Sequence, residues 1–241
     1  MRQNASSLAD GSVQAGYRPA GAGRFAGSVL ALFGKDIRCE MRSRHAVTAM
    51  LLFALTSTVA VAAAIGRNGV APNVGAGLLW VVVYFTAMSG LSRSFVREDE
   101  MRTAAVLKLM MAPNAVYLGK LAFNLALLLG VELFVLPVLI GLTNCRVGNW
   151  TGLIAIVVVG SAGLSAAGTL AAAMVARAAV KGALYAVVCF PLLAPVLFAA
   201  VSGSEIAMEG MMPGSDLKLL AYYFGTVVTA SMLLFRFIWE D

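Results

Sequence analysis

Residues 46–65 read AVTAMLLFALTSTVAVAAAI, a run without a single charge. As a helix rising 1.5 Å per residue it covers about 30 Å, the thickness of a bilayer's hydrocarbon core. Similar runs follow at Val74–Leu91, Leu118–Leu142, Leu153–Ala176, Leu184–Val201 and Leu219–Phe237. The expected fold is therefore all-α, a polytopic membrane protein with six transmembrane helices. Composition agrees: 60% of the 241 residues are hydrophobic and 12% are charged. An average soluble domain carries about 25% charged residues. A disordered chain, a disulfide-stapled secreted module and an ordinary soluble enzyme are excluded. Six spans use roughly half the chain and leave little for any folded domain outside the bilayer.

The charges orient the bundle. Of the 18 basic residues, only Arg67, Arg146 and Lys218 fall in the loops after spans one, three and five. The rest lie on the side of the N-terminus, so the positive-inside rule places both termini in the cytoplasm. The net charge of +6 thus sets topology and is not a nucleic-acid signature, because basic and aromatic residues do not interleave on a polar surface. Cys39, Cys145 and Cys189 form no CxxC pair and no metal spacing.

Residues 1–28, rich in Gly, Ala and Ser, read as a disordered tail. Asp10 is the only acid before Asp36, a composition shared with organellar transit peptides. Residues 29–45 read as an amphipathic interfacial helix, with Leu30, Phe33, Ile37 and Met41 on one stripe and basic residues on the others. A solvated helix leading into span one fits that periodicity equally. Residues 46–241 form the six-helix domain. Its longest cytoplasmic connection, residues 92–117, is charge-dense at first and apolar around Lys108. Such a segment suits a helix resting on the membrane or docked into a partner's groove, where it would receive force from a soluble motor. A solvated linker is the plain alternative.

Within the spans, Glu132 is an intramembrane carboxylate, and such a group is expensive enough to have a purpose. Lys120 lies about 18 Å away along the same helix and cannot pair with it there. Glu132 is therefore neutral, bonded to a neighbouring span, or turned to a polar cavity. Pro191 and Pro195 each remove a helix hydrogen bond, so span five is expected to be kinked or broken, as a hinge or as a static bend. Gly160 to Gly168 put small residues on every turn of span four, which marks a packing face. Gly119-Lys120 is not a phosphate-binding loop, since position 114 is Asn and Leu121 follows. The single histidine, His45, reads as an interfacial residue rather than a haem ligand, and no catalytic triad can be built around it. With no nucleotide site in the sequence, ATP-driven work would need a partner.

Several of these segments together resemble the CcmB-type permeases of cytochrome c maturation. The resemblance rests on Lys35-Asp36-Ile37-Arg38-Cys39-Glu40-Met41-Arg42, Phe95-Val96-Arg97-Glu98-Asp99-Glu100, Leu107 to Pro113, and Leu118-Gly119-Lys120. It continues through Asn124, Glu132, Pro137, Gly168-Thr169-Leu170, Arg177 and Phe190 to Val196, and so spans roughly residues 30–241. After the acidic cluster this chain has Arg102-Thr103 where the family usually has Gly-Thr. The resemblance implies an ABC-2 exporter-type permease that pairs with a CcmA-type cytoplasmic ATPase, alongside CcmC-type and CcmD-type membrane proteins. ATP hydrolysis in that system is linked to release of the haem-loaded CcmE-type chaperone. It also implies the bacterial inner membrane ahead of the mitochondrial one. No cofactor is expected on this chain itself, and haem enters only with the assembled complex. In this reading residues 95–108 are the docking helix, with Phe95, Arg97, Glu98, Glu100 and Lys108 facing the ATPase. Asn124 and Glu132 are the intramembrane polar positions, and Pro191 and Pro195 the hinge. Two other readings compete: an ABC-2 exporter for a lipid, drug or polysaccharide, and an ion-coupled carrier working through Glu132. The latter class often carries inverted repeats, and none is evident here.

Overall fold

The computed structural model describes residues 22–65, 69–91, 110–176 and 181–240. Among these are seven helices and no strand: α1 Ala22–Ser43, α2 His45–Ile65, α3 Pro72–Leu91, α4 Pro113–Thr143, α5 Trp150–Val175, α6 Lys181–Met208 and α7 Gly214–Glu240. Six of them, α2 to α7, are long and apolar enough to cross a membrane. The expected spans are all present, but several run past the apolar segments that announce them. α4 starts at Pro113, a residue preadapted to a first helical turn because its missing N–H has no partner to lose. α6 continues beyond Val201 to Met208 and passes through Pro191 and Pro195 without breaking. The expected alternative of a broken fifth span is thereby corrected.

The centre of the bundle is α5, whose run from Gly160 to Ala173 is buried almost throughout. Small residues there let its neighbours come close. A Cβ on Gly160 would lie 2.4 Å from the Trp80 ring of α3. Trp80 in turn donates its indole N–H to Ser204 Oγ of α6 at 2.8 Å, so one aromatic side chain ties three helices together. α2 and α7 lie at the periphery. Leu133 and Phe134 of α4, Phe198 of α6 and Phe237 of α7 point outward, as suits helices whose outer surface meets hydrocarbon.

α1 departs from expectation at its start. It begins at Ala22 rather than at Val29, so residues 22–28 of the segment read as a disordered tail are helical. Their Gly-Ala-Ser composition hides the helix from a periodicity search. The stripe that faces the bundle is Leu32, Asp36 and Glu40, at a spacing of four, and both acids are buried. Leu30 and Met41, from the apolar stripe, are exposed at 68% and 71%. The helix thus turns Leu32 and two carboxylates to the protein, with Phe33 and Ile37 half-buried and Leu30 and Met41 outward.

Candidate functional site

The inward acids of α1 have partners that explain their burial. Asp36 Oδ2 lies 2.8 Å from Lys120 Nζ on α4, both side chains being nearly enclosed. Lys35 Nζ approaches the other oxygen of Asp36 at 3.3 Å from a more open position. The approach of α1 to α4 depends on the preceding residue: a Cβ on Gly119 would lie 2.9 Å from Leu32 Cδ2. Gly119 makes the notch and Lys120 supplies the charge. Glu40, one turn beyond Asp36, turns to α2 instead. Its Oε1 accepts the backbone N–H groups of Ala46 at 2.8 Å and Val47 at 3.0 Å. These are orphan donors at the start of α2, where a negative charge also meets the positive end of the helix dipole. Arg44 makes the corner between the two helices in a left-handed conformation, with φ 54°. His45 opens α2 and is exposed.

A second set of polar contacts runs along the seam of α4 and α5. Tyr117, Asn124 and Glu132 are spaced by seven and eight residues, which sets them on one face of α4. Tyr117 donates to the Ala166 carbonyl at 3.2 Å. The Asn124 amide donates to Thr169 Oγ1 at 2.8 Å. Ser161 donates to Glu132 Oε1 at 2.6 Å. Glu132 is thus bonded to a neighbouring span, while its second oxygen, Oε2, is buried without a hydrogen bond. Polar pairs of this kind hold transmembrane helices in register, because hydrocarbon offers no competing partner. On the far side of the bundle Tyr223 of α7 donates to the Leu192 carbonyl, between the two prolines of α6.

At the opposite end, the connection between α4 and α5 folds onto the one between α6 and α7. Gly148 N–H donates to the Met208 carbonyl and Asn149 N–H to the Ala207 carbonyl, each at 2.9 Å. Asn149 Oδ1 then caps α5 by accepting from Gly152 N–H at 2.9 Å. Cys145 packs its sulfur 3.8 Å from Met208 Sδ, and burial pushes its thiol pKa up. No group of three or more His, Cys, Asp or Glu side chains among the described residues is placed to hold a metal.

The proposed docking residues Phe95, Arg97, Glu98, Glu100 and Lys108 lie outside the described residues. Asn124 and Glu132 share one polar seam, and Pro191 and Pro195 sit away from it in α6. Sequence reasoning missed Asp36–Lys120, the Glu40 cap, and the partners Ser161 and Thr169. The available signal was a lysine in span three that Glu132 could not reach, left unmatched against two acids in a preceding helix.

These contacts hold helices together and position them; they assemble no nucleophile with a base. Six candidate spans, a first helix clamped to the bundle and a polar seam define a multi-pass, all-helical membrane protein. Residues 27–238 match the family described as CcmB protein, and the chain belongs to that family. It is also similar to a protein of Bradyrhizobium diazoefficiens named Heme exporter protein B, with 27% identity over 184 residues, 76% of this chain and 83% of the relative.

Proposed function

We propose that the chain is the membrane subunit of an ABC-type haem exporter complex in c-type cytochrome biogenesis, driven by ATP that a separate cytoplasmic ATPase hydrolyses. The family match across residues 27–238 carries this reading. The name of the Bradyrhizobium relative supports haem as the cargo. A CcmA-type ATPase would dock on residues 95–108, through Phe95, Arg97, Glu98, Glu100 and Lys108. CcmC-type and CcmD-type proteins would complete the assembly, and each ATP cycle would release the haem-loaded CcmE-type chaperone. The basic residues favour cytoplasmic termini, and the bacterial relative favours a bacterial inner membrane.

Two structural features suit the coupling. α4, the first helix after the docking segment, carries both Lys120 and the polar seam to α5. A push at its cytoplasmic end would therefore reach α1 and the bundle centre together, and Pro191 and Pro195 offer α6 a place to bend. The test is a deletion strain complemented with variants, scored by haem staining of c-type cytochromes. Complementation by the unmodified chain and its loss with Glu98→Lys/Glu100→Lys, together with lost ATPase copurification, is the expected outcome. Normal c-type cytochromes in the deletion strain would overturn the reading, and unchanged copurification would overturn the docking assignment.

A further inference from the structure

A groove of about 510 Å³ lies where α1, α2 and α4 meet. Its walls are apolar: Ile37 from α1, Leu51 from α2, and Phe123, Leu127, Gly130 and Phe134 from α4. Phe123 and Phe134 are eleven positions apart, so along α4 the groove is about 16 Å long. It opens sideways rather than into the bundle, since Phe134 at its far end is 60% exposed and the adjacent Leu133 72%. An occupant therefore enters from the hydrocarbon and lies along the helix.

The near end has the opposite character. Arg44 and Glu40 line it, at the corner where α1 turns into α2. Arg38, Arg42 and His45 are exposed beside them. Glu40 keeps its negative charge while accepting two N–H groups at the start of α2, but Arg38, Arg42 and Arg44 outnumber it and leave the corner net positive. An apolar trough ending in a basic corner at the start of a membrane span matches an acyl chain ending in a negative headgroup. Each Lys or Arg near a membrane surface strengthens attraction to anionic lipid severalfold.

We propose that this groove is a binding site for one anionic phospholipid, with an acyl chain against Phe123, Leu127 and Phe134 and its phosphate at Arg44. The lipid bridges the interfacial helix, the first span and α4, and completes the surface that Gly130 leaves open. Gly130 is the position for the test, because a Cβ there would meet nothing within 4 Å. Gly130→Leu projects an apolar side chain from an open position on the groove wall and favours the helix.

The full chain is purified in mild detergent and titrated with phosphatidylglycerol or phosphatidylcholine of matched chain length, and bound lipid is counted by native mass spectrometry. The expected result is about a fivefold preference for phosphatidylglycerol in the unmodified chain. Gly130→Leu should lose one tightly held lipid, and Arg44→Gln should bind both lipids alike, with unchanged circular dichroism in each. Equal binding of the two lipids by the unmodified chain would overturn the proposal, as would full retention in Gly130→Leu. A change of oligomeric mass in Gly130→Leu with lipid retention unaltered would assign the groove to a second copy. Added haem competing for the site in place of phosphatidylglycerol would assign it to the cargo.

Discussion

Lys120→Met removes the ammonium that lies 2.8 Å from Asp36 Oδ2 and leaves a carboxylate buried between α1 and α4. Breaking an enclosed ion pair by removing one partner costs about 3–5 kcal/mol, most of it the penalty of burying the remaining charge. Lys35 stays 3.3 Å from the other Asp36 oxygen with 39% of its side chain exposed, and its partial compensation sets the expected cost at the lower end. The loss falls on α1, which is held to α4 by this pair and by the Leu32–Gly119 contact. Local opening of α1 should therefore become easier while the bundle stays closed. A change of about 3 kcal/mol corresponds to roughly a hundredfold faster amide exchange. Hydrogen exchange followed by mass spectrometry, on peptides from residues 26–43 and from α5, reads both. Fast exchange confined to α1 is expected in Lys120→Met, with protection largely restored in Asp36→Leu/Lys120→Met, where the buried Asp36 carboxylate is gone as well. Protection of α1 within about threefold of the unmodified chain would refute the reasoning, as would a double variant that exchanges as the product of the single ones.

Other contacts make equally definite claims. Ser161→Ala takes away the hydrogen bond to Glu132 Oε1 and should lower stability by about 1–3 kcal/mol, whereas Glu132→Gln keeps a partner for Ser161 and should be nearly neutral; thermal unfolding in detergent separates them. Gly160→Ala places a methyl 2.4 Å from the Trp80 ring and should cost about 1–3 kcal/mol, while Gly77→Ala, with nothing within 4 Å, should stabilise by about 0.5–1 kcal/mol in the same assay. Cys39 is exposed and Cys145 is buried with a raised pKa, so maleimide at pH 8 should label Cys39 first. Because the thiolate is the reactive form, labelling of Cys145 should appear only as pH rises further.

The spans were legible because hydrocarbon imposes a simple rule: a helix crossing it must be apolar all round for about twenty residues. The boundaries were less so. α4 reaches back to Pro113 and α6 on to Met208 through residues that hydropathy does not mark as part of a span. Glu132 stood out as a polar group in a span, and its bond to Ser161 satisfies one of the alternatives its burial demanded. The burial of Asp36 and Glu40 was not legible in α1 alone. Amphipathicity shows which residues share a stripe, but the stripe's direction depends on partners supplied elsewhere. Here Lys120 and the N-terminus of α2 draw Asp36 and Glu40 inward. At a membrane surface the apolar stripe can face lipid without penalty, so the usual rule of apolar residues inward does not hold.

The most direct test of the proposed role is isolation of the tagged chain from native membranes in mild detergent, with every co-eluting protein identified and ATP hydrolysis measured on the eluate. The expected result is a fixed-ratio complex containing a cytoplasmic ATPase and haem-handling membrane proteins, whose ATP hydrolysis is lost when the ATPase is removed. A chain that elutes alone, or with partners unrelated to haem and c-type cytochromes, would contradict it.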